Sequence, residues 1–207
     1  MMRVLRQRNF ALLWSAGLLS QLGDWAYYTI MPVFVLDRTG SVFLAGIVWA
    51  LIALPSVVIG PVCGVYIDRW DRRRILLVGN GLQAVAMLVL IAGGRDVGIW
   101  LALTVLVINA SLASLLQPAE SAFLPTLVGS NELVPANALN AMNDNIGRIA
   151  GPPVGVLAYS RFGIDAVAAV NAISDVYAMG GKPALALAVL AFPLATMPGE
   201  VIQQVLQ

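Results

Sequence analysis

Apolar residues run along this chain in long blocks separated by short polar breaks. A helix needs roughly 20 apolar residues to cross the hydrocarbon core of a bilayer. On that measure the pattern predicts spans over residues 10–36, 42–67, 75–93, 98–117 and 134–159. The breaks at 37–40, 68–74, 94–96 and 125–132 are polar and mostly short, as connections between neighbouring antiparallel helices are. A sixth block follows, but Asp175, Gly180, Gly181, Lys182 and Pro183 interrupt it.

Two of the predicted spans carry polar stripes. Asp24 lies near the middle of the first span, and at helical spacing its neighbours are Gly17, Ser20, Gln21 and Tyr28. An Asp at mid-bilayer disfavours insertion by roughly 2.5–3.5 kcal/mol, so this stripe should face an aqueous path or another polar helix. Asp24 is either a packing carboxylate satisfied by Gln21 or another neighbour, or a group that handles substrate or protons. In the fifth span Asn137, Asn140, Asp144, Gly147, Gly151 and Gly155 share a face. Glycines at this spacing let a second helix approach closely, from the same chain or from a second copy. Asp144 and Arg148 stand at i and i+4, so Arg148 reads as half of a local ion pair or as a substrate contact. A weaker stripe of Ser114, Gln117 and Ser121 closes the fourth span beside Pro118 and Glu120.

Composition supports the membrane reading. The 207 residues are 59% hydrophobic and 11% charged, against about a quarter charged in a soluble domain. A net charge of +1 gives no footprint for nucleic acid, which demands clustered Lys and Arg. With Cys63 alone and no histidine, an internal disulfide, a Cys/His zinc centre and histidine acid–base chemistry are excluded. Neither a metal nor a cofactor is expected, and the chain is not expected to act as an enzyme. Arg3, Arg6 and Arg8 precede the first span, and Arg69, Arg72, Arg73 and Arg74 lie between the second and third. Single arginines at 38 and 95 occupy the opposite side, so the positive-inside bias places the N-terminus in the cytoplasm.

The stretch "GVYIDRWDRRR", residues 64–74, resembles the loop between the second and third helices of the major facilitator superfamily. Gly64, Asp68, Arg69, Arg72 and Arg73 fit that pattern, and Asp71 in place of the commoner Gly is similar to the macrolide- and siderophore-export branch. "SQLGDW", "PAESAFLPTLV" and "ANALNAMNDNIGRIAGPPVG" resemble the same branch. The last contains Gly147, Gly151, Pro152 and Gly155 of an antiporter-like motif, with Val156 where a further glycine is usual. The resemblance implies a proton-driven exporter of small molecules in a cell membrane, built from two six-helix halves around a central site. It also implies that Asp24, with Gln21, Tyr28, Asp144 and Arg148, lines the transport or proton path. The 64–74 loop would then latch the two halves.

Beyond residue 170 the resemblance changes. "NAISDVYAMGGKP" is similar to selenophosphate synthetase (selenide, water dikinase), in which the Asp matching Asp175 helps hold Mg²⁺ on ATP. Residues 184–197 are short for a span and contain Pro193, so a strand over 184–192 and a final helix to 207 are expected instead. The sequence thus reads as an all-α integral membrane protein with five transmembrane helices over 1–170, followed over 171–207 by a short α/β-like, selenophosphate-synthetase-like tail fragment or an aberrant sixth-span region. Its expected partners are the lipid bilayer, a small-molecule substrate and protons. A missing second six-helix half, or a homo-oligomer partner, would complete the cavity.

Overall fold

A computed structural model describes residues 4, 6–67, 71–94 and 97–178, with backbone alone at 60–67, 130 and 178. Six α-helices make up nearly all of the described chain: α1 (Arg8–Thr39), α2 (Val42–Ile67), α3 (Arg72–Ala92), α4 (Ile99–Phe123), α5 (Leu133–Phe162) and α6 (Ile164–Ala178). Two short 3₁₀ turns, Leu124–Thr126 and Ser130–Glu132, connect α4 to α5. No strand occurs among the described residues.

Helix ends follow local chemistry. Gly40 adopts φ 65°, and its N–H closes α1 on the carbonyl of Leu36 at 2.8 Å; a left-handed residue here suits glycine because a Cβ would meet the carbonyl. The Asp71 carboxylate accepts from the Arg73 N–H at 2.9 Å and caps α3. That cap starts α3 at Arg72, three residues before the predicted span, so the arginines stand inside the first turn. Gly163 turns the chain at φ 85° between α5 and α6.

Helix α1 is the axis of the packing. It contacts α5, α6 and α2, while α3 packs on α4 and α6, and α2 packs on α4. Helix α6 is therefore wedged between α1 and α3. It buries Val167, Ala168, Ala169 and Ala172, small residues that let its neighbours approach closely. The main core joins them to Tyr27, Ile30, Met31 and Phe34 of α1 and Met87 and Leu90 of α3. Helix α6 runs through residue 171, where the resemblance changes, without a break, and buries Asn171, Ala172, Ser174 and Asp175 in the bundle. The expected strand over 184–192 and the final helix lie outside the described residues.

The outside is apolar. Phe43, Val57 and Val58 of α2, Val78 and Val85 of α3 and Ile149 of α5 are all well exposed. An apolar surface this extensive is unfavourable in water and suits lipid. Three of the helices, α2, α3 and α4, contain stretches long and apolar enough on their own to cross a membrane. The other two predicted spans, α1 and α5, have the length but carry the polar stripes, which they turn inward.

Candidate functional site

The polar stripe of α1 opens into a cavity of about 710 Å³ lined by α1 to α5 and open on one side. Gly17, Ser20, Gln21, Asp24 and Tyr28 all line it, because residues three and four apart on a helix share a face. From α5 come Asp144 and Arg148, and from α4 come Ser114, Gln117 and Glu120. A smaller cavity of about 280 Å³ adjoins it, sharing Gln21, Gln117, Glu120 and Asp144 and adding Asn137 and Asn140. Trp25, Tyr28 and Trp49 supply broad apolar faces to the main cavity.

Glycine spacing on α5 sets the geometry. A Cβ at Gly147 would lie 2.9 Å from Gln21, one at Gly151 2.6 Å from the Trp25 Cβ, and one at Gly155 2.6 Å from the Ala26 carbonyl. Backbone meets backbone along this seam, and only hydrogen fits. The glycine face that sequence left open to a second copy is filled by α1 of the same chain. Pro152 and Pro153 lie within α5 beside Gly151 without ending the helix.

This close crossing assembles a charged cluster. Arg148 Nε pairs with Asp144 Oδ2 at 3.0 Å, its guanidinium lies 4.8 Å from the centre of the Trp25 ring, and Trp25 Nε1–H donates to Asp144 Oδ1 at 3.4 Å. Arg148 thus spends its charge on both an ion pair and an aromatic face. The Tyr28 hydroxyl donates to Asn109 Oδ1 at 3.1 Å on α4, and Trp25 and Tyr28 meet edge to face.

Asp24 has a partner that sequence reasoning did not find. Asn171 Nδ2–H on α6 donates to Asp24 Oδ1 at 2.8 Å; Gln21 is not that partner. The contact depends on Gly23, where a Cβ would lie 2.6 Å from Ser174 Oγ and 2.9 Å from the Asn171 Cα. Asp175, which the dikinase resemblance made a vestige of an ATP-bound Mg²⁺ site, is fully buried one turn after Asn171, on the side of α6 that meets Asp24. Among the described residues no group of three or more Asp, Glu, Cys or His side chains gathers as a metal site.

Of the basic loop, Asp68 and Arg69 lie outside the described residues, and Gly64 is in the last turns of α2 with only its backbone described. Arg72 Nη1–H donates to the Ala122 carbonyl at 3.0 Å and so ties the start of α3 to the end of α4. Arg73 contributes its backbone N–H to the Asp71 cap. Sequence reading also passed over Glu120, Trp25 and Asn109 as site residues. Glu120 stands three residues from Gln117 and beside Ser121, a spacing that would have placed it on the α4 stripe.

Residues 2–204 match the profile of the transmembrane secretion effector family of the major facilitator superfamily. The chain belongs to that family. It is a membrane-embedded member of a transporter superfamily, and its cavity lies where the inward polar faces of the helices meet. It is similar to macrolide efflux protein A of Streptococcus pyogenes, 26% identical over 172 residues that make up 82% of this chain and 42% of that protein. The macrolide efflux protein A of Enterococcus faecalis is 30% identical over 127 residues, 60% of this chain and 39% of that protein. The chain therefore spans about two fifths of the length of these transporters. A shorter likeness joins it to the selenide, water dikinase of Bdellovibrio bacteriovorus, 68% identical over 41 residues, 20% of this chain and 12% of that protein.

Proposed function

We propose that this member of the transmembrane secretion effector family serves as the N-terminal half of a proton-coupled exporter of small amphipathic molecules. The observation that carries the reading is the 710 Å³ cavity, where carboxylates, amides and aromatic faces collect inside a bundle whose outer surface is apolar. Such a lining suits a molecule with an apolar body and a few polar groups. The likeness to macrolide efflux proteins supports export as the direction. Because the chain covers 42% of its streptococcal relative, the far wall of the cavity is assigned to a second six-helix half or to another copy.

In this reading Asp24, Gln21, Tyr28, Asp144 and Arg148 line the pathway, and residues 64–74 latch the halves. The N-terminus is cytoplasmic: seven arginines flank α1 and the α2–α3 connection on one side, against Arg38, Arg95 and Arg161 on the other. The test is macrolide efflux from proteoliposomes under an imposed proton gradient, with this chain as the first half of a full-length family member. Efflux that collapses on Asp24→Asn supports the proposal. Recovery of the chain in the soluble fraction without detergent would overturn it.

The 68% identity over 41 residues supports a second reading, a chimeric frame whose tail derives from a dikinase sequence. Within this reading, long-read sequencing of the locus separates a natural fusion from an artefactual join. A continuous transcribed frame supports a fusion, and two intact neighbouring genes support an artefactual join.

A further inference from the structure

An acidic pair lies at the contact of α1 with α6, behind the cavity wall. Asp175 is 0% exposed, and among the described residues neither of its carboxylate oxygens has a hydrogen-bond partner. Asn171, one turn earlier on the same face of α6, is also 0% exposed. Its amide N–H is spent on Asp24, and its own Oδ1 has no donor. Three buried acceptor atoms thus lie on the turn of α6 that meets Asp24, with no donor among the described residues. The buried Tyr27 hydroxyl is itself without a partner and serves none of them.

Among the described residues no cation balances this contact. Among the described residues neither Asp24 nor Asp175 has an ion pair, and Arg148, the basic residue at the cavity, is held by Asp144. Among the described residues the titratable groups around Asp175 come from α1: Asp24, with Tyr28 and Tyr27 beyond it. Helix α3, which also packs on α6, buries only the uncharged polar side chains Asn80 and Gln83 among its described residues, and both line the cavity. Two like charges held together in a low-dielectric contact repel strongly, and an unmet buried acceptor is unfavourable in its own right.

We propose that Asp24, Asn171 and Asp175 form a proton-binding site whose occupancy decides whether α1 and α6 stay packed. It rests on the proton-coupled reading above and adds to it the residue that holds the proton. One proton added to a carboxylate oxygen of Asp175 converts an acceptor into a donor, and that O–H is directed at Asn171 Oδ1 or at Asp24. The pair then carries a single negative charge. Loss of the proton restores two charges across the seam and pushes the helices apart, a change that can reshape the cavity because Asp24 lines it. Asn171 and Asp175 do not line the cavity, so Asp24 is the port through which the proton enters and leaves.

Infrared difference spectroscopy on the full chain in lipid nanodiscs tests the site. At neutral pH the wild type should show the carbonyl stretch of a protonated carboxylic acid, and Asp175→Asn should abolish it. Asp24→Asn should keep the band and shift the pH at which it disappears. Equal bands in wild type and Asp175→Asn, or no band in either, overturns the proposal. If the Asp175 variant does not fold, proton uptake is counted on acidifying alkaline wild type and Asp24→Asn. No uptake in the pH range where the wild-type band appears likewise overturns it. The band can be present when proton-driven efflux is absent, which removes the transport reading alone. Efflux that persists in Asp175→Asn with the band gone removes this site alone.

Discussion

Helix α1 is flanked by two seams built with the same backbone device and opposite electrostatics. On one flank Gly147, Gly151 and Gly155 of α5 admit the α1 backbone, and the charges brought together are Asp144 and Arg148, which neutralise each other. On the other flank Gly23 of α1 admits α6, and the charges brought together are Asp24 and Asp175, which do not. Close approach of helices is thus neutral with respect to function. A seam that carries its own counter-charge is a fixed joint, whereas one that lacks it responds to a proton.

The largest test of the fixed seam is Gly151→Leu. Its Cβ would sit 2.6 Å from that of Trp25 and 3.0 Å from the Ala26 nitrogen, neither of which can move independently of α1. A loss of about 3 kcal/mol is expected from overpacking at backbone, visible as a lower thermal midpoint in nanodiscs and a polydisperse elution profile. Gly23→Val should follow at about 2 kcal/mol, because Ser174 Oγ can rotate away although the Asn171 Cα cannot. It should also break the Asp24–Asn171 hydrogen bond. A thermal midpoint unchanged by Gly23→Val would mean that α6 is not held at that point.

Asp175→Asn sharpens the contrast without removing bulk. A proton that binds the packed state stabilises it by mass action, so the wild-type midpoint should fall as pH rises while that of the variant stays level. Parallel pH profiles would place the responsive group elsewhere. The smallest effect belongs to Arg148→Ala, about 1 kcal/mol, because the side chain is 58% exposed and its ion pair is screened. Arg148→Lys should recover part of that through the charge while losing the flat stacking on Trp25. If Arg148→Ala instead matched Gly151→Leu, the α5 seam would be held by charge and not by glycine packing.

Short-range regularities were legible in the chain. The expected span over 42–67 coincides with α2, the α1 stripe of Gly17, Ser20, Gln21, Asp24 and Tyr28 faces one cavity, and the i,i+4 pair of Asp144 and Arg148 is in contact. Each of these depends on helical periodicity alone. What the chain did not disclose has a different cause. Asp175 entered the sequence reading as an interruption of the sixth apolar block and through the dikinase resemblance, and its burial on the face of α6 that meets α1 was not visible. The partner of Asp24 is Asn171, 147 positions away, and no periodicity connects them. The glycine face of α5 announced a close contact without saying with which helix.

The sequence by itself determined where helices can form, which faces are polar, and that the chain resides in a bilayer, since these follow from hydrophobic length and from the 3.6-residue repeat. Tertiary structure decided which polar faces meet. It set α1 between α5 and α6, matched one acidic group to an arginine and another to an amide, and left Asp175 buried without a donor. Those outcomes depend on backbone approach at a few glycines, a three-dimensional fit that local patterning leaves open.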